Sequence, residues 1–215
     1  MKLYSIPLSP FASRVRLSIY RKGITDIEIV PPPEGGLKTE AFLALNPMGR
    51  VPTLVLDSGM AIAESAAILE YLEDVFPTPS LRPKNPEDLA RARLFLRLPD
   101  IYFENAPRIL MGMRDPATRI PEAVAASMAA LHRGLSYIDH FVDVAPWAVG
   151  GKPSIADSAL VPVLNVVNRV AAVYAIPELL ANYSKLHAYW VATKEDPVHA
   201  KVIAEMLAAA PRLPA

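Results

Sequence analysis

KLYSIPLSPFASRVRLSIYRKGITDIEIV, residues 2–30, holds the pattern on which the fold turns. Residues 2–6 and 26–30 are short runs of β-branched, aromatic and apolar side chains. Between them residues 11–22 carry Val15, Leu17, Ser18 and Ile19 in a segment of helical length, ended by Gly23. Strand, helix and strand joined by a crossover of that length make a right-handed βαβ unit with parallel strands. Downstream, Pro31-Pro32-Pro33 and Gly35-Gly36 precede a short helical stretch at 39–45. Residues 53–56, a turn at Asp57-Ser58-Gly59 and residues 60–63 then read as a hairpin, followed by a helix over 64–76. The order βαβ, α, ββα describes a small mixed four-stranded sheet with helices packed on it.

Residues 76–86, FPTPSLRPKNP, hold four prolines in eleven positions, which no helix or central strand tolerates. This is the expected boundary: a first domain over 1–76, a linker over 77–86 and a second domain over 87–215. Beyond the linker the period is helical. Met128, Leu131, Leu135, Ile138 and Val142 recur at spacings of three and four, as do Ala159, Val163, Val166, Val170 and Val173. The second domain is therefore expected to be an all-α bundle. Pro99 and Pro107 should interrupt its first long helix and bend it, each freeing a carbonyl four residues earlier, near Phe95 and Phe103.

Composition narrows the function. The chain has 215 residues, 22 basic against 22 acidic, and no cysteine. Zero formal charge and the lack of a basic stripe argue against nucleic acid or anionic lipid as a partner. With no cysteine there is no disulfide, thiolate zinc site, iron–sulfur cluster or protein thiol nucleophile. The N-terminus breaks at Pro7, short of a secretory apolar region, and the longest chargeless apolar stretch, 158–168, is about half the ~20 residues of a membrane span. A soluble, cytoplasmic protein without a membrane partner is expected. Dinucleotide, P-loop, metalloprotease and nucleophile-elbow motifs are missing, and the four histidines are not at ligand spacing. No metal is expected.

Three stretches could carry chemistry. Ser9 followed by Pro10 reads as an N-cap with proline at the first helical position, where free N–H groups and the positive dipole end stabilise anions. Ser9 can serve as a cap only, or can cap and also donate its proton to a ligand. Val51-Pro52 heads a strand: an ordinary X-Pro turn, or a cis peptide that frees the Val51 N–H and C=O to pair with a peptide-like ligand. Glu64-Ser65 opens a helix, either as an acidic first turn or as a seat for an α-amino acid.

Together, Ser-Pro-Phe-x-x-Arg-Val-Arg at 9–16, Asn-Pro-x-Gly-x-Val-Pro-x-Leu at 46–54 and Glu-Ser-x-Ala-Ile-Leu-x-Tyr-Leu at 64–72 resemble the glutathione transferase superfamily. The first is similar to the tau class, and to the omega class with serine for cysteine. Gly151 to Asp157 resembles that family's buried capping box, Ser154 with Asp157; the same spacing occurs by chance at Thr25, Ser136 and Thr193. The resemblance implies an α+β thioredoxin-like domain followed by an all-α bundle. It implies glutathione as co-substrate, Ser9 donating to its sulfur, Val51 and Pro52 presenting backbone to its cysteinyl unit, and Glu64 and Ser65 holding its γ-glutamyl group. Lys38 and Arg50 would meet its carboxylates; both also read as solvated surface cations. A hydrophobic electrophile would lie between Pro7, Leu8 and Phe11 on one side and Tyr102, Phe103 and Ala106 on the other. A homodimer and a role in detoxification are likewise implied. The alternatives are a glutathione-dependent isomerase of the zeta type and a non-catalytic interaction module. Zeta enzymes carry Ser-Ser-Cys where Ser9-Pro10-Phe11 stands, and thiol exchange through a protein cysteine is excluded. Tyr4, in the first strand, lies before the strand end at which a tyrosine-type enzyme would place its phenol.

Overall fold

Short-range chemistry sets the first helix, α1 (Pro10–Lys22). Ser9 precedes it in extended geometry, its Oγ accepts the Ala12 N–H at 3.2 Å, and Pro10 opens the first turn. Gly23, at φ +65°, ends it by donating its N–H back to the last turn. In this computed structural model, which describes residues 1–103, 105–144 and 146–211, α1 lies between β1 (Lys2–Tyr4) and β2 (Glu28–Val30) in the chain. These strands pair in parallel with Leu3 opposite Ile29. β3 (Thr53–Val55) pairs antiparallel with β1, Leu54 opposite Leu3, and β4 (Ala61–Ala63) pairs antiparallel with β3. The sheet order is β2-β1-β3-β4. With α2 (Glu40–Leu45) and α3 (Ser65–Val75), this is a thioredoxin-like unit, and the strands are shorter than their sequence runs suggest.

Leu3, Leu54, Val15, Ile19, Ile68 and Leu72 form the core between the sheet and α1 and α3, each 2% exposed or less. Burying each contributes about 1.5–3 kcal/mol. On α1, Leu17 belongs instead to the core of the helical unit, as does Leu69 of α3. Helix α1 is thus enclosed on both sides, which is why its polar residues from Ser13 to Ser18 are buried as well.

The helical unit comprises α4 (Pro86–Tyr102), α5 (Ala106–Gly112), α6 (Pro121–Phe141), α7 (Ile155–Val173), α8 (Ser184–Thr193) and α9 (Pro197–Ala208). Helix α7 is its axis, packing on α1, α4, α5 and α9. It is long and apolar enough by length and composition to cross a membrane, but 83% of that window is buried inside the fold. The capping box forms at its head. The Asp157 carboxylate accepts from the Ser154 N–H (2.8 Å) and hydroxyl (3.1 Å), and from the Ala148 N–H (2.9 Å) and the Tyr189 hydroxyl (3.0 Å). Burial nonetheless pushes its pKa up to about 6. The look-alike sites at Thr25, Ser136 and Thr193 open no helix.

Two features differ from the reading of the sequence. Pro99 lies inside α4 as expected, but Pro107 does not bend that helix. Instead Asn105, at φ +62°, turns the chain and Pro107 falls in the first turn of α5, where a missing N–H costs nothing. The proline-rich segment is free of helix and strand up to Asn85, with Pro86 opening α4, yet is pinned. Lys22 Nζ, buried, meets Glu73 Oε1 at 2.7 Å and donates to the Pro79 carbonyl at 2.6 Å. Glu73 Oε2 accepts from the Ser80 hydroxyl and from the Leu81 and Arg82 N–H groups at 3.0, 2.9 and 3.3 Å. The Leu81 carbonyl then accepts the Ile155 N–H at 2.9 Å, tying the segment to α7.

Candidate functional site

The loop between α2 and β3 is built around Asn46. Its Nδ2 donates to the Arg50 carbonyl (3.0 Å) and Thr53 Oγ1 (2.9 Å), while its Oδ1 accepts the Met48 N–H (3.1 Å). Gly49, at φ +57°, is required by space as well as by conformation: a Cβ there would stand 2.7 Å from the Leu37 carbonyl and 2.8 Å from Lys38 Nζ. The loop ends in a cis Val51-Pro52 bond. Among the described residues the Val51 N–H and C=O have no protein partner, so that backbone edge is open to a ligand.

Facing it is the start of α3. Glu64 adopts φ +69°, ψ +121°, a conformation that costs a non-glycine residue about 1–3 kcal/mol. Its carboxylate is exposed and caps nothing. Ser65, the first helical residue, is 3% exposed, and its Oγ receives Arg14 Nη1 at 3.4 Å. Phe11, Asn46, Met48, Arg50, Val51, Pro52, Glu64 and Ser65 line one open depression. The lining supplies an unpaired backbone edge, a helix N-terminus with a hydroxyl, one carboxylate and one arginine. Such a set recognises a zwitterionic or peptidic ligand rather than an apolar one.

The other sequence-derived residues distribute as follows. Ser9 caps α1 two residues before Phe11 and is partly exposed, but does not line the depression. Lys38 reaches the same loop, donating to the Met48 carbonyl at 3.2 Å. Tyr102 is exposed at the end of α4, its ring edge-on to Tyr137 at 5.1 Å, and Leu8 is half-buried. Three expected cleft residues are not brought to the Phe11 wall. Phe103 and Ala106, 3% and 1% exposed, belong to the helical core, because Gly134 of α6 leaves a gap that the Phe103 ring fills. Pro7 lines a separate groove with Arg16, Ile29 and Ala208. Tyr4 packs edge-on against the buried Phe42 ring at 5.4 Å.

Asn46 was visible in its motif but carried no assigned role, and Arg14 with Asp100 was not anticipated. Arg14 is fully buried, its Nη1 2.8 Å from Asp100 Oδ1 on α4 and its guanidinium 4.8 Å from the centre of the Phe11 ring. Burial pushes it below its ordinary pKa, opposed by Asp100 and, more weakly, Glu64. His199, also fully buried, bonds through Nδ1 to the Thr193 hydroxyl at 2.7 Å and lies in the helical unit, with Trp147 edge-on.

Residues 8–75 match the family model of the glutathione S-transferase N-terminal domain, and 105–197 that of the C-terminal domain. A maleylacetoacetate isomerase of Pseudomonas aeruginosa is 33% identical over 79% of this chain and 82% of its own. FtsZ-localized protein A of Caulobacter vibrioides is 30% identical over 77% and 76%. Among solved structures, a Methylobacterium radiotolerans glutathione S-transferase in complex with glutathione sulfonate superposes with a TM-score of 0.76 at 25% identity, covering 94% of this chain and 93% of that one.

Proposed function

Because this chain belongs to the glutathione S-transferase family, we propose that it binds reduced glutathione in the depression between Val51-Pro52 and Glu64-Ser65 and transfers its sulfur to a hydrophobic electrophile. The observation that carries this reading is the convergence there of an unpaired Val51 backbone, a strained Glu64 with a free carboxylate and a Ser65 hydroxyl on a helix N-terminus. The Val51 backbone pairs with the cysteinyl unit beside Pro52. Ser65 and the α3 N-terminus take the γ-glutamyl carboxylate and Glu64 its ammonium. Arg50 and Lys38 serve the glycyl carboxylate. The domains are 1–76 and 87–215, joined by 77–86, and a cytoplasmic homodimer acting in detoxification is the accompanying reading.

Ser9 supplies the activation. Its oxygen already accepts the Ala12 N–H, so its proton is free to be donated to the sulfur. A thiol of pKa ~8.5 is about 3% ionised at pH 7; lowering it by about one to two units raises that to roughly a quarter to three quarters. One charge-assisted hydrogen bond and the helix end supply a shift of that size. The thiol proton leaves to solvent, the thiolate forms a carbon–sulfur bond beside Phe11, Leu8 and Tyr102, and the electrophile releases its leaving group or takes up a proton. With Ser9→Ala, the bound thiol pKa should rise by about one to two units and turnover at pH 7 fall about tenfold. An unchanged pKa and rate would remove Ser9 from this role.

A second reading is favoured by the Pseudomonas relative: glutathione-dependent cis–trans isomerisation, in which the thiolate adds to a double bond and is later expelled. Turnover of maleylacetoacetate with catalytic glutathione would support it, whereas consumption of one glutathione per electrophile supports conjugation. Failure to bind reduced glutathione at millimolar concentration would leave the interaction-module reading.

A further inference from the structure

The turn that carries Ser9 is held from behind. Ser5, Ile6, Pro7 and Leu8 link β1 to the cap of α1, and the Ser9 N–H closes the turn on the Ile6 carbonyl at 3.0 Å. Pro7 is exposed, and neither it nor Leu8 belongs to either apolar core. Arg16, two turns further along α1 and 3% exposed, supplies the hold that packing does not. Its Nη1 donates to the Ser5 hydroxyl at 3.2 Å, and its Nη2 donates to the Pro7 carbonyl at 3.0 Å and to Ser13 Oγ at 2.8 Å. Ser13 donates in turn to the same Pro7 carbonyl at 3.2 Å. A planar guanidinium fork meets several acceptors in a fixed geometry that a single ammonium does not reproduce.

The guanidinium is itself fixed from the helical unit. Its Nε stands 3.3 Å from Glu205 Oε2 on α9, an ionic contact without a hydrogen bond, and Glu205 Oε1 accepts the Tyr20 hydroxyl at 3.0 Å. Ser9 accepts the Ala12 N–H in extended geometry, at φ −71° and ψ 118°, and the turn before it sets how the chain enters that geometry. A hydrogen bond from its hydroxyl weakens steeply once distance or angle drifts.

We propose that Arg16 is a positioning residue for Ser9: it clamps the turn of residues 5–8 against α1 so that the Ser9 hydroxyl stays aimed at the sulfur, with Glu205 holding the clamp from α9. This rests on the glutathione reading above and on the part of Ser9 in it. Arg16 lines the groove of Pro7 and Ile29 and not the depression, so it touches neither ligand nor sulfur and acts on thiol ionisation rather than on affinity.

Two probes on the full chain test this: reduced glutathione, whose bound thiolate is titrated by its ultraviolet absorbance, and S-methylglutathione, which has no thiol to ionise and whose affinity is read by calorimetry. Arg16→Met should raise the bound thiol pKa by about one unit, cutting the thiolate present at pH 7 by roughly three- to eightfold. Its affinity for S-methylglutathione should stay within about twofold of the parent. Glu205 is partly exposed and keeps Tyr20, so it tolerates the loss of its partner. Arg16→Lys should recover part of the ionisation. Residues that act through one another are not additive, so Ser9→Ala with Arg16→Met should ionise the thiol no worse than Ser9→Ala alone. Should Arg16→Met fail to fold, Ser13→Ala cuts the same clamp by removing one hydroxyl, and a smaller rise with S-methylglutathione affinity intact is expected. An unmoved thiol pKa in Arg16→Met, or in Ser13→Ala where it stands in, overturns the proposal. A double variant that falls below Ser9→Ala overturns it too, as does a matching loss of S-methylglutathione affinity, which a distorted site would give. If Ser9→Ala alone leaves the thiol unmoved, the Ser9 reading fails and takes this inference with it, and a parent chain that binds neither probe refutes the glutathione reading itself.

Discussion

Glu73→Ala is the most demanding test of how the two units are held together. The Glu73 carboxylate serves four donors, the buried Lys22 ammonium, the Ser80 hydroxyl and the Leu81 and Arg82 amides, and its side chain is 1% exposed. Removing one partner of a buried ion pair costs about 3–5 kcal/mol, because the remaining charge stays out of water. The two amides, one of them buried, lose their acceptor in addition. For a chain of this length, each kcal/mol moves the melting temperature by about 2–4 °C, so a fall of roughly 6–20 °C is expected. Lys22→Met should cost less, by about 1–3 kcal/mol, because Glu73 keeps its three other donors. The assay is urea unfolding of the parent and both variants, paired with native-state digestion by a protease that cuts before leucine. In Glu73→Ala, cleavage at Leu81 should appear well below the unfolding midpoint. If Glu73→Ala unfolds within about 1 kcal/mol of the parent, or resists cleavage there, the carboxylate does not pin this segment.

His199 gives the fold a sensitivity to mild acid. Burial pushes its pKa down to about 4, with Asp196 and the Thr193 carbonyl opposing and Arg21 assisting. The unfolded chain takes up the proton near pH 6.5 and the folded chain does not, so stability is lost as pH falls from about 6.5 towards 4. Between pH 7 and pH 5 this amounts to about 2 kcal/mol. Urea midpoints for His199→Gln should lack that component of the pH dependence, and an identical slope in parent and variant would contradict it. At Gly134→Ala, the new Cβ would stand 2.1 Å from Phe103 Cδ1. Despite a gain of ~0.5–1 kcal/mol in helix propensity, a net loss of about 1–3 kcal/mol in unfolding free energy is expected. A neutral result would show that the Phe103 ring can leave its seat.

Much of the architecture was legible because its signals are local. Ser9-Pro10 and Gly23 bound α1 wherever that helix is placed, since capping depends on neighbours three or four residues away. The hairpin of β3 and β4, the helical periods of α6 and α7 and the Ser154-Asp157 box follow for the same reason. Asn46, Met48 and Arg50 to Pro52 line the same depression as Glu64 and Ser65, from stretches that the sequence alone leaves separate. Phe103 and Ala106 went astray because an aromatic and a small residue near a proline look alike whether they face a cleft or a core. The gap at Gly134, about thirty residues on in α6, decides it, and no short-range pattern records that pairing.

From the residues alone came the element order, the helix caps, the lack of a protein thiol and the presence of three ligand-suited motifs. Tertiary packing settled which polar groups go inside. Arg14 against Asp100 and Ser65, and Lys22 against Glu73, are buried on a helix enclosed on both sides and meet partners 51 or more residues away. A buried charge is far less costly where partners meet it. The positions of those partners belong to the assembled fold, whereas a cap or an apolar period is complete within its own few turns.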